Sequence, residues 1–254
     1  AGQLVIATRN ALVDGQILGE VFQGERQTQG PRAVLDGYEQ SQIARARRAQ
    51  LIVGQYDPAW SATAGGLQYL LDPRLDQVQI GGTHAAALTA PGLTDAVAQE
   101  RVGKLFLDSD MLNGFQLGAL KVSAAKSIVV DQALAVDSGG DITLFGPQVQ
   151  VNANLTARGG SLNVGDILTG NSALPAPAGT AVGVTVAKGV QLDARGLWSN
   201  LRTDPDDVNS LAYLNGGVVS VRSTGSVNLG SGSLLDVSSG GALLANGKTR
   251  GGKG

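Results

Sequence analysis

The stretch Asp141-Ile142-Thr143-Leu144-Phe145-Gly146-Pro147-Gln148-Val149-Gln150-Val151-Asn152-Ala153-Asn154-Leu155-Thr156-Ala157 lies between the pairs Gly139-Gly140 and Gly159-Gly160, which stand 20 residues apart. A fixed spacing of this size marks one repeat of a stacked architecture. Apolar residues alternate through Ile142 and Leu144, and again through Val149, Val151, Ala153, Leu155 and Ala157. Alternation with period two reads as a half-buried strand, so the unit predicts two strands separated by Gly146-Pro147.

Working outward, the preceding unit repeats the scheme with Leu120-Lys121-Val122, a corner at Ala124-Ala125-Lys126, then Ile128, Val130, Leu134 and Val136. Leu162-Asn163-Val164 opens the next unit. A second block runs from Val182 to Val237, with Val184-Thr185-Val186, Val190 to Gly196, Val218-Val219-Ser220-Val221, Val227-Asn228-Leu229 and Leu234 to Gly241. Its pairs Gly216-Gly217 and Gly240-Gly241 are 24 residues apart, a drift that stacked repeats absorb at their corners. A unit of this length cannot bury its own apolar face, so it must stack on its neighbours in parallel, with strands about 4.8 Å apart. Glycine corners suit tight turns. The expected fold class is all-β: a right-handed parallel β-helix, or β-solenoid, with loop and short-helix inserts.

Composition agrees with that reading. The 254 residues include 37 glycines, with aromatics at 4% and charged residues at 16%, so the core must be built from Val, Leu, Ile and Ala. A hydrophobic share of 43% in short alternating runs argues against disorder. The net charge of −2 provides no field for nucleic acid or an anionic membrane. With no cysteine, there is neither a disulfide scaffold nor a Cys-based zinc site. No apolar run is long enough to span a membrane as a helix, and no export signal opens the sequence. The strand-like opening and the Gly-Lys-Gly end read as those of a piece cut from a longer chain.

Two regions are expected. Residues 1–104 form an irregular part, with strands at Leu4 to Ala7, Leu51 to Gly54 and Val78 to Gly82, an outer helix within Gly37 to Gln50, and one helical turn within Thr94 to Glu100. Residues 105–254 form regular repeats with inserts at about 166–180 and 198–215. Residues 57–66 and 83–103 also read as loops, being rich in turn-forming residues.

The runs Leu105-Phe106-Leu107 to Leu112-Asn113-Gly114-Phe115, and Leu192-Asp193-Ala194-Arg195-Gly196-Leu197-Trp198-Ser199-Asn200, combined with the glycine periodicity, resemble the interior of filamentous-haemagglutinin-family exoproteins. The resemblance covers about 105–241. It implies a right-handed parallel β-helix, export through an outer-membrane two-partner secretion pore, a secreted or cell-surface location, and attachment to a cell-surface glycan or protein. The family's Asn-Pro-Asn secretion signature is absent from this sequence.

Candidate chemistry is sparse. Asp204, Asp206 and Asp207 form an acidic cluster that reads as a solvated turn, with a weak cation or ligand site as its alternative. Asp108-Ser109-Asp110 starts like a calcium loop but fails at Leu112 and Asn113, and Gly139-Gly140-Asp141-Ile142 lacks the rest of a calcium nonapeptide. No metal or other cofactor is expected. His84, the single histidine, has no partners at catalytic spacing. Gly230-Ser231-Gly232-Ser233 reads as a β-turn rather than a dinucleotide loop. Arg45, Arg47 and Arg48 form a basic patch, read as a solvated helix face or an anionic-glycan contact. Trp198 and Tyr213, beside the acidic cluster, are the candidate ligand-binding aromatics, with Trp60 and Tyr56 in another insert. The expected function is a non-enzymatic shaft segment of a secreted adhesin. The alternatives are a glycan- or receptor-binding module on its side, and a polysaccharide-active β-helix enzyme.

Overall fold

The computed structural model describes residues 2–13, 15–21, 47–54, 59–61, 66–68, 75–81, 96–167 and 173–254. The protein is mostly strand with little helix, and its parallel sheet is nearly closed into a barrel-like shape.

The strands pair in three parallel stacks. The first contains β1 (Gln3–Ile6), β2 (Gln50–Val53), the first half of β7 (Ala119–Val130), β9 (Asp141–Phe145), β12 (Ser161–Gly165) and β16 (Val218–Arg222). The second contains β6 (Lys104–Leu107), β5 (Leu75–Ile80), the second half of β7, β10 (Gln148–Val151), β13 (Gly183–Val186) and β17 (Ser226–Leu229). The third is made of short strands: β8 (Leu134–Ala135), β11 (Leu155–Thr156), β14 (Gln191–Asp193) and β18 (Leu234–Asp236). Successive segments β9, β10 and β11 thus contribute one strand to each stack and make one layer. Two smaller sheets lie apart: the antiparallel hairpin of β3 (Ala59–Ser61) and β4 (Gly66–Gln68), and a side sheet of β15 (Trp198–Asn200), β19 (Gly241–Leu243) and β20 (Thr249–Gly251).

Register keeps like over like. Leu120, Ile142 and Leu162 stand in one column, Ile128, Val149 and Val184 in another, and Leu134, Leu155 and Leu192 in a third. All nine side chains are buried in one continuous core. Since side chains alternate faces, a slip by one residue would turn a whole strand's apolar set outward, so this alternation holds the register.

The number of strands per layer differs from expectation. The run Val149 to Ala157 is not one strand but two, because the chain turns at Asn152 to Asn154. Asn152 donates from its backbone to Val130 O and from Nδ2 to Asp131 Oδ1 at 2.8 Å, while Asn154 Oδ1 accepts from Gln191 N. Inward residues keep the same phase on both sides of the bend, so periodicity passes through it unmarked. At Ala124 to Lys126, by contrast, the chain bends without breaking β7, which pairs with β9 before the corner and β10 after it.

Glycine is required where corners stack. A Cβ on Gly160 would lie 1.9 Å from Gly140 O, and one on Gly140 would lie 2.4 Å from Gly118 O. Carbonyl oxygens of one layer therefore occupy the space a side chain would need in the next.

Helix α1 (Ser109–Gly114) closes the first edge of the third stack. Asp108, which begins the rejected calcium-loop pattern, caps it by accepting from Met111 N at 2.8 Å. Asn113 then pairs with β8 as a peptide unit would: Nδ2 donates to Ala133 O at 3.0 Å, and Oδ1 accepts from Ala135 N at 2.9 Å. Asn113→Ala is expected to cost about 1–2 kcal/mol by loss of these two bonds. A urea unfolding midpoint measures it, and an unchanged midpoint would show that water replaces the carboxamide freely.

The strands expected near Leu4, Leu51 and Val78 are β1, β2 and β5. Of the helix expected within Gly37 to Gln50, residues 37–46 lie outside the described residues, and 47–49 are not helical. A short 3-10 segment, Gln99–Arg101, stands near the helical turn expected to end at Glu100. The insert at about 198–215 is not a plain loop: it contains β15 and a 3-10 helix, Asp207–Tyr213. Gly230 to Ser233 closes as a turn, Ser233 N donating to Gly230 O.

Candidate functional site

The chain leaves the stacked body at the same corner in two successive layers. After Gly196 it runs through β15 and the 3-10 helix before returning at Gly216-Gly217. After Gly240 it forms β19 and β20 and returns through Gly252, whose N–H donates to Gly240 O. Because β15 and β19 pair in parallel, the side sheet is itself stacked by the layers beneath it.

Trp198 is 69% exposed and lies over Gly241, where a Cβ would meet indole Cζ3 at 2.4 Å. Ser199, next along β15, is buried and donates from Oγ to Asp207 O at 3.0 Å, tying strand to 3-10 helix. Tyr213 packs against the main body instead: a Cβ on Gly139 would meet its Cε1 at 2.2 Å, and one on Gly159 its Cβ at 3.0 Å. Its ring at Gly139 and its Cβ and backbone at Gly159, together with the positive φ of both residues, account for glycine at those two corners.

Asp204 and Asp206 are exposed in the turn between β15 and the 3-10 helix. Asp204 N donates to Asn200 O, and Asp207 Oδ1 accepts from Ser210 Oγ at 2.6 Å. The five candidate ligand residues therefore occupy four settings: Trp198 on the side sheet, Tyr213 on the glycine corners, Asp204 and Asp206 in an exposed turn, and Asp207 at the start of the 3-10 helix. Among the described residues no group of three or more His, Cys, Asp or Glu is arranged to hold a metal ion.

In the basic patch, Arg47 is exposed, while Arg48 places Nε 3.1 Å from Asp137 Oδ2. Arg45, Tyr56 and His84 lie outside the described residues, and for Trp60 the description extends only to its place in β3. No helix among the described residues is long and apolar enough to cross a membrane.

The densest electrostatic feature among the described residues escaped the sequence reading. Thr156, Asp193 and Asp236 fall in one column of the third stack. Asp193, its side chain 6% exposed, receives Arg195 Nε on Oδ1 at 3.0 Å and Arg195 NH2 on Oδ2 at 2.9 Å. Arg158, from the layer before, brings Nε to 2.8 Å of the same Oδ2 without aiming its N–H along the contact. Arg195 also reaches Asp236 in the following layer at 3.3 Å. Burial alone would raise the Asp193 carboxyl; hydrogen bonds from the Arg195 side chain and backbone, with the charges of Arg158 and Arg195, outweigh it and hold the group below its ordinary value. Asp236 is also lowered, chiefly by its hydrogen bonds from Ser238. The available signal was the parallel between Leu155-Thr156-Ala157-Arg158-Gly159 and Leu192-Asp193-Ala194-Arg195-Gly196, which places both arginines at one repeat position.

This corner joins three layers by charge, through Arg158, Asp193, Arg195 and Asp236. No protein-family model, curated protein or solved structure matches the chain.

Proposed function

We propose that the chain is a length of right-handed parallel β-helix acting as a shaft segment of a large secreted bacterial adhesin of the filamentous-haemagglutinin type, exported through an outer-membrane two-partner secretion pore. One observation carries the reading: parallel pairing in matched register runs through all three stacks from β7 to β18. A stack of this kind transmits position along its axis because each layer is held by its neighbours, and inserts decorate it without interrupting the ladders. Its charged corner links adjacent layers and supports the same role. The exposed Trp198 favours the second reading, a recognition surface for a cell-surface glycan or protein on the side sheet.

The two readings separate in a binding experiment with the intact chain. As a shaft, it gives no saturable signal on epithelial cells or a glycan array and releases no products from acidic polysaccharides. Saturable binding abolished by Trp198→Ala would move the function to the side sheet. Calcium and EDTA are expected to leave the β-rich circular dichroism spectrum unchanged, and a calcium-dependent spectrum would refute the metal-free reading. A crystal structure tests the handedness.

A further inference from the structure

Three Asn-Gly pairs occur in the sequence: Asn113-Gly114, Asn215-Gly216 and Asn246-Gly247. Glycine has no Cβ to hold its backbone nitrogen away from the preceding side chain. In each pair that nitrogen is therefore a nucleophile within reach of the asparagine Cγ. The three are equivalent in sequence, but the fold treats them differently.

Asn113 and Asn215 are held by partners distant in the chain. Asn113 uses both ends of its carboxamide on β8, donating to Ala133 O and accepting from Ala135 N, so its Cγ cannot turn toward Gly114 N without breaking both bonds. Asn215 Oδ1 accepts from Lys253 N at 2.8 Å, and the nitrogen that would attack it, Gly216 N, donates to Lys253 O at 2.7 Å. Gly216 has no room to move either: a Cβ there would lie 1.9 Å from Val237 O, and Gly217 N donates to Ala194 O.

Asn246 is held by its own turn. Leu244 N donates to Lys248 O and Gly247 N to Leu244 O, closing the hairpin between β19 and β20. Residues 245–248 are exposed, and apart from chain neighbours no heavy atom lies within 4 Å of a Cβ built on Gly247. Asn246 Oδ1 accepts from Lys248 N at 3.0 Å. A bond from the side chain to the amide two residues on folds the carboxamide back over the intervening Gly247 nitrogen. The same Lys248 N–H points at the oxygen on which negative charge develops when Cγ becomes tetrahedral. One turn hydrogen bond, from Gly247 N, has to open first, and opening at a hairpin tip is a local event.

We propose that Asn246-Gly247 is a site of spontaneous self-modification, while the fold protects Asn113 and Asn215. Gly247 N gives its proton to water or hydroxide and attacks Asn246 Cγ. The N–Cγ bond forms, the Cγ–Nδ2 bond breaks, and ammonia leaves with a proton from the solvent. Water then opens the resulting succinimide at either carbonyl, giving aspartate or isoaspartate. Both products place a carboxylate beside Lys248. Isoaspartate also routes the main chain through Cβ and Cγ, lengthening the turn that sets the β19–β20 register.

Peptide mapping of the intact chain during incubation at mildly alkaline pH tests the proposal. Trypsin puts the three pairs on separate peptides, 105–121, 203–222 and 223–248. Deamidation adds about one mass unit, and fragmentation of the third peptide separates Asn246 from Asn228. In the folded protein Asn246 is expected to convert at least about tenfold faster than Asn113 or Asn215. In concentrated urea the other two should accelerate until the three rates converge. Equal rates in the folded chain, conversion led by Asn113 or Asn215, or a gap that persists in urea would each overturn the proposal.

Discussion

Gly160→Ala is expected to destabilise the protein by about 3 kcal/mol or more, the upper range for forcing an added group into a packed site. The new methyl would lie 1.9 Å from Gly140 O and 2.9 Å from Gly140 C and N, backbone atoms held by the ladders on either side. Neither layer can retreat without stretching the bonds between β9 and β12, because Ser161 N donates to Gly140 O at 2.9 Å beside the clash. Gly189→Ala separates this effect from backbone strain. Gly189 has φ +73° with nothing near its would-be Cβ, so its substitution should cost only the left-handed penalty of about 1–2 kcal/mol. Urea unfolding followed by circular dichroism measures both. Equal losses would show that the corners are governed by turn conformation alone and that adjacent layers are less closely stacked than described.

Asp193→Asn should cost about 2 kcal/mol at neutral pH, by leaving Arg158 and Arg195 without their shared carboxylate. The full penalty for breaking a buried pair is larger, but the arginine side chains are 36% and 38% exposed, so water compensates in part. The pH dependence follows from the direction of the shift. The folded carboxyl lies below its ordinary value of 3.8, so the folded state binds the proton less readily than the unfolded chain. Its contribution is fully present above the unfolded value and disappears as pH falls through the lower folded value. Stability should therefore decline on acidification below about pH 4. Asp193→Asn should flatten this limb of the curve, as measured by thermal unfolding across acidic pH. A variant curve parallel to that of the parent would assign the acid limb to other carboxylates.

These two positions also divide what could be read in advance from what could not. Gly159-Gly160 was legible because a repeated glycine pair is a local signal with a local cause. Asp193 was legible only as part of a motif, since its partner Arg158 lies in the preceding layer, with the 166–180 insert between them. Asp204, Asp206 and Asp207 were grouped with Trp198 and Tyr213 by proximity in the chain. In the structure Tyr213 instead packs on Gly139 and Gly159, from earlier layers. Asn113 was read as a failed calcium-loop position and as part of the Leu112 to Phe115 run, but not as a strand partner, because that use depends on β8 arriving beside it.

By itself, the sequence determined strand as the main element, the faces turned inward and the corners where glycine must stand. Each of these follows from side-chain alternation or from space around a single Cα. Tertiary structure alone decided the third stack, whose strands are two or three residues long and too short for periodicity to mark. It also decided the return of β6 to pair outside β5, the packing of Ala11, Val13 and Ile17 on the core, and the joining of Arg158, Asp193, Arg195 and Asp236. The physical reason is that a layer's neighbours depend on how much chain is looped out between strands, and insert length leaves no trace in the alternation of the strands it separates.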